Sequence, residues 1–143
     1  MICTRAKGIG LVRQLLFIIA AALPALAHAQ EVEDITFAAG DYGTMVEGEV
    51  AGQDYVDFTL AAGAGQEMFV ELTPQETDGD GTVYFNILPP GSDGVAIYNG
   101  SIDGTTAWID LPEAGTYTIR VYLMGNDADT GKRVAFNMDL SIQ

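Results

Sequence analysis

Apolar and polar side chains alternate strictly over several short stretches. Val56, Phe58 and Leu60 alternate with Tyr55, Asp57 and Thr59, and Met68, Val70 and Leu72 alternate with Glu67, Phe69 and Glu71. Val83, Phe85 and Ile87 form a third series, and Tyr117, Ile119, Val121 and Leu123 a fourth, with Thr118, Arg120 and Tyr122 on its polar side. Val134, Phe136, Met138 and Leu140 form the last. A period of two with one apolar face predicts half-buried strands. Turn residues separate the stretches: Gly52, Gly63 to Gly65, Asp78 to Gly81, Pro89-Pro90-Gly91, Asp103-Gly104 and the loop Asp127 to Lys132. No segment sustains a helical period. Strands recurring every ten or so residues predict a single-domain all-β fold, an antiparallel β-sandwich of about eight or nine short strands. Within it, Leu111-Pro-Glu-Ala-Gly-Thr-Tyr117 has the form of a tyrosine corner.

The first 29 residues break this pattern. Arg5, Lys7 and Arg13 precede an uncharged apolar run from Leu15 to Leu23, and Ala27-His28-Ala29 follows. That order predicts a secretory signal peptide over residues 1–29, cleaved before Gln30. The apolar run is shorter than the roughly 20 residues a spanning helix needs, which disfavours a retained anchor. Residues 30–143 are then the mature domain, placed in the periplasm or secreted, with no membrane attachment after cleavage.

Maturation changes the chemistry available. Cys3 and His28 both lie in the signal, so the mature domain has neither Cys nor His. Without them no Ser-His or Cys-His nucleophile can be assembled, and zinc loses its usual ligands. Two carboxylates would suffice for a glycosidase, but twenty acids make such a pair uninformative. The expectation is a non-enzyme that needs no cofactor. The signal also carries three of the six basic residues and no acid, leaving Arg120, Lys132 and Arg133 against twenty acids, a net charge of −17. Such a field repels nucleic acid and anionic lipid and accelerates encounter with a cationic protein. Solubility or a salty habitat would explain the same charge.

Asp78-Gly-Asp80-Gly and Asp127-Ala-Asp129-Thr-Gly131 gather oxygen ligands on turns, but Gly131 and Met138 stand where an EF-hand needs its fifth and twelfth ligands. That leaves solvated acidic turns, or at most a weak, irregular calcium site and no other metal. Arg120, on the polar side of its strand, is expected to pair with a neighbouring carboxylate; the alternative is a Tyr and Arg cluster at an interface. Trp108 is expected to be core or half-buried packing rather than a ligand platform.

Several segments carry a resemblance. Phe58-Thr-Leu-Ala-Ala-Gly-Ala-Gly65-Gln66, Val83-Tyr-Phe-Asn-Ile-Leu-Pro-Pro-Gly91, Ala96-Ile-Tyr-Asn-Gly-Ser101 and Gly115-Thr-Tyr-Thr-Ile-Arg-Val-Tyr-Leu-Met124 resemble the periplasmic inhibitors of goose-type lysozyme, from about Gly48 to Ile142. Some of these features also occur in bacterial pre-peptidase C-terminal domains, which implies, as the alternative, an accessory module binding polysaccharide or calcium. The resemblance to the inhibitors implies a sandwich that offers a loop to the cleft of a goose-type lysozyme and so protects peptidoglycan. The partner-binding residues it suggests are Arg120, Tyr122, Met124, Gly125, Asn126, Asp127, Asp129, Lys132 and Arg133. The family continues from Leu-Met into Arg-Asn-Ala-Ala-Arg-Arg. Here that run is Gly125-Asn126-Asp127-Ala128-Asp129-Thr130, and Phe58 stands where the family has a tyrosine.

Overall fold

The computed structural model describes residues 30–143. The expected signal peptide lies outside the described residues. Nine strands appear in chain order: β1 (Glu31–Asp34), β2 (Gly43–Ala51), β3 (Tyr55–Ala62), β4 (Glu67–Thr77), β5 (Val83–Leu88), β6 (Tyr98–Asn99), β7 (Thr106–Asp110), β8 (Gly115–Leu123) and β9 (Arg133–Ile142). Two single-turn helices, α1 (Gly100–Asp103) and α2 (Gly125–Asp129), interrupt the loops. The strands form two sheets, one of five in the order β1-β3-β8-β5-β6 and one of four in the order β2-β9-β4-β7.

The predicted alternation packs the sheets together. Phe58, Phe85, Tyr117 and Ile119 from the five-stranded sheet meet Met68, Val70, Phe136, Met138 and Leu140 from the other, all at most 1% exposed. Burying a side chain of this size contributes about 1.5–3 kcal/mol. Phe58 and Phe136 meet edge to face, ring centroids 6.1 Å apart. Gly48 makes room for them: it lies opposite Phe136 in the β2–β9 register, and a Cβ there would come within 2.5 Å of the ring.

One pairing departs from the expected antiparallel pattern, because β1 joins β3 in parallel. Connectivity explains this. The chain leaves β1, crosses to the other sheet as β2, and returns through the turn at 52–54 as β3. Two reversals give β1 and β3 the same direction. The helical turn α2 also replaces part of the loop expected after β8. A single turn of five residues leaves no periodic signature, and it is held by tertiary bonds rather than by helix propensity.

The tyrosine corner forms as expected. The buried Tyr117 hydroxyl donates to the Glu113 carbonyl at 2.6 Å and accepts from the Glu113 amide at 3.3 Å. Tyr117→Phe, which keeps the ring, should lower unfolding free energy by about 1–2 kcal/mol in urea melts. Trp108, expected in the core or half-buried, instead stands outward on β7 and is 55% exposed. Ala107 and Ile109 take the inward positions beside it, so the strand's alternation turns the indole to solvent.

Candidate functional site

The outer face of the five-stranded sheet carries a polar layer built by cross-strand register. Tyr55, Tyr122 and Tyr84 share one rung, and Asp57, Arg120 and Asn86 share the next. Arg120 forms a two-pronged ion pair with Asp57, Nε to Oδ1 and Nη2 to Oδ2, each 2.8 Å. Its guanidinium also lies 4.1 Å from the Tyr55 ring centroid, a cation–π contact. The Asp57 side chain is only 6% exposed, and Gln30 donates a further hydrogen bond to it at 2.5 Å. Gln30 in turn accepts from the Tyr55 hydroxyl at 2.8 Å. Tyr122 donates to Asn86 at 2.9 Å and lies 6.4 Å from the Tyr84 ring. The Asp57 hydrogen bonds are the first cause of the upward shift of the Arg120 pKa, opposed by burial. The carboxylate neighbour expected for Arg120 is therefore present, and so is the Tyr and Arg cluster.

The tyrosine rung is the last outward-facing one before the loops at this end of the sandwich. Three connections meet there: the β2–β3 turn, the β4–β5 loop and the α2 segment between β8 and β9. Met124, Gly125, Asn126 and Asp129 are exposed, while Lys132 is half-buried. Arg133, also exposed, pairs with Glu49 across the β2–β9 ladder. Asp129 accepts a hydrogen bond from Gln53 at 3.2 Å. A cleft of about 540 Å³ opens beside this rim, lined by Glu31, Glu49, Gln53, Asp54, Tyr55 and Arg133 among others.

Asp127 belongs to the scaffold and not to the contact surface the sequence suggested. It is fully buried and accepts from the Asp80 amide at 2.8 Å, the Thr82 amide at 2.9 Å and the Thr82 hydroxyl at 2.9 Å. The amides of Asp80 and Thr82, in that order, hold its carboxyl below the usual carboxylate range against the cost of burial. Gly79 packs so closely on it that a Cβ would fall 2.3 Å from Oδ1. Asp78, on the same turn, accepts from the Arg133 amide at 2.8 Å. On these acidic turns Asp78 and Asp127 are thus occupied with backbone amides and Asp129 with Gln53, and among the described residues no cluster of three or more acidic, His or Cys side chains could hold a metal ion.

Of the residues singled out from sequence, Arg120 and Tyr122 fall on the polar sheet face, and Met124, Gly125, Asn126, Asp129, Lys132 and Arg133 fall on the adjoining rim. Tyr55, Tyr84, Asn86 and Asp57 were missed. Each sits at an outward position of an alternating strand, and only the strand order brings them to Arg120. Gln53 and Glu49 join the rim through the β2–β3 turn and the β9 register.

The described residues form a β-sandwich that presents an aromatic and polar patch at one end. No protein-family model matches the chain. It is 32% identical to the crystal structure of PliG from Aeromonas hydrophila, a periplasmic lysozyme inhibitor of g-type lysozyme, covering 79% of this chain and 96% of that one with a TM-score of 0.70. It is 28% identical over 110 residues to an inhibitor of g-type lysozyme from Escherichia coli K12, covering 77% of this chain and 80% of that protein. The pre-peptidase C-terminal domain of a Bacillus anthracis collagenase shares the fold alone, at 15% identity and a TM-score of 0.53. The chain belongs to the family of periplasmic inhibitors of g-type lysozyme.

Proposed function

We propose that the domain 30–143 is a periplasmic inhibitor of a goose-type lysozyme and binds that enzyme's cleft with Tyr122 and the adjoining rim of Met124, Gly125, Asn126, Asp129, Lys132 and Arg133. The observation that carries this is the match to the Aeromonas inhibitor over 96% of its length. Tyr122, Tyr84 and Met124 offer the rigid, partly apolar contact area that dominates protein interfaces. Arg120 acts behind them. Its guanidinium is committed to Asp57 and Tyr55, so it positions the aromatic rung rather than reaching the partner. The family's loop arginines are absent. Attraction to a basic enzyme would come instead from the acids on the rim and from the −17 field.

The test is inhibition of a goose-type lysozyme by residues 30–143 at low and at physiological salt. Inhibition at micromolar concentration or below is expected, weakening several-fold as salt screens the field. No inhibition at about 10 μM in either condition, a free energy below roughly 7 kcal/mol, would overturn the reading. Tyr122→Ala should raise the inhibition constant at least tenfold, as loss of an aromatic anchor does.

A further inference from the structure

The outer face of the four-stranded sheet lies on the opposite side from the tyrosine rung and has a different composition. At its β7 edge, Phe69 and Trp108 are directly opposed in the β4–β7 register, with ring centroids 4.9 Å apart. Trp108 is 55% exposed, and no element of the described chain covers the pair. Acids flank it on both sides. Glu67 lies opposite Asp110 on one side, and on the other Glu71 lies between Thr106 of β7 and Asp139 of β9. All four are exposed.

Like charges directly opposed across a ladder destabilise a sheet. Two such pairs bracket a single aromatic contact here, without relief within the molecule. Among the described residues, the ion pairs are Arg120 with Asp57 on the other sheet and Arg133 with Glu49 near the opposite end of β9, and neither involves any of these four acids. An unfavourable arrangement held on an exposed aromatic face marks a functional site better than a structural one. Its chemistry also narrows the occupant. A second copy would set carboxylates against carboxylates, and nucleic acid or anionic lipid would be repelled. An arginine or lysine side chain satisfies both features, since its charge offsets the carboxylates and its cation sits over an indole.

We propose that this face docks a cationic protein segment, with an arginine or lysine held over Trp108 between the Glu67–Asp110 and Glu71–Asp139 pairs. This surface is separate from the lysozyme-facing rim, and the proposal does not depend on the inhibitor reading.

Trp108 is the chain's single tryptophan, so its fluorescence reports this face alone. The probe is a hexa-arginine peptide titrated into residues 30–143 at low salt. A saturable change in tryptophan emission is expected, reversed by salt. Glu71→Gln with Asp139→Asn should weaken binding about 5–10-fold, the scale of losing two close charge partners. Glu31→Gln with Glu33→Gln removes equal charge from β1 of the other sheet and should change affinity less than about twofold, since distant charge is screened. Thermal melts confirm that both variants fold, because each removes only exposed acids. An unchanged emission, or equal weakening in the two double variants, would overturn the proposal.

Discussion

Replacing Arg120 with Met should destabilise the domain by about 2–4 kcal/mol in chemical denaturation, somewhat below the roughly 3–5 kcal/mol for breaking a fully buried ion pair from one side. The loss would come mainly from what is left behind. The Asp57 side chain is 6% exposed and would keep a full charge with Gln30 as its remaining side-chain partner. Arg120 itself is 24% exposed, and solvent there reduces the Coulombic part of the pair. The cation–π contact with Tyr55 would go too, at about 0.5–1 kcal/mol. The double variant Arg120→Met with Asp57→Asn should recover a large share of the loss, because it neutralises the stranded carboxylate. If the double variant were as unstable as the single one, the cost would lie in lost packing of the guanidinium and not in an unpaired charge. The same variant separates positioning from contact. At temperatures where Arg120→Met stays folded, its inhibition of a goose-type lysozyme should fall less than that of Tyr122→Ala, because the arginine holds the rung from behind.

The strands were legible because the core needs only period-two alternation, which five stretches display without interruption. The tyrosine corner was legible because its geometry is local, with Tyr117 and Glu113 four residues apart. What could not be seen depends on strand order. Nothing local ties Asp57 to Arg120 across 63 positions, although a carboxylate somewhere near the arginine followed from composition. The parallel β1 arises from two crossings between sheets that leave no trace in periodicity. The outward position of Trp108 is legible in its own strand. Ala107 and Ile109 already claim the inward positions of its strand, which leaves the indole outward. The burial of Asp127 is not legible, because a turn aspartate and a buried amide acceptor look the same until Thr82, 45 residues earlier, is brought against it.

That aspartate supports the second large effect. Asp127→Ala should lower the melting temperature by roughly 5–15 °C, because several hydrogen bonds to one ionised acceptor are lost together and their donors are left in a closed space. The damage should be directional. Asp127 ties the β4–β5 loop to α2, and Met124, Gly125 and Asn126 stand immediately before it on the rim. Inhibition of a goose-type lysozyme should therefore drop even where the sheets remain folded, and hydrogen exchange should rise at 78–82 and 124–132 while the central strands stay protected. The pH dependence has a definite sign. The Asp80 and Thr82 amides depress the folded-state pKa below the ordinary carboxylate value. The stabilisation is then fully present above that ordinary value and is lost as pH falls through the depressed one. Asp127→Asn keeps the shape but removes the charge and presents an amide nitrogen to a backbone donor. It should be less stable than the parent at pH 7, with the difference closing on acidification below about pH 4, where an unfolded aspartate takes up its proton. Equal stability of Asp127→Asn and the parent at pH 7 would mean that the loop is held by the shape of the side chain and not by its charge. The rim would then tolerate an amide at 127 without losing its grip on the enzyme.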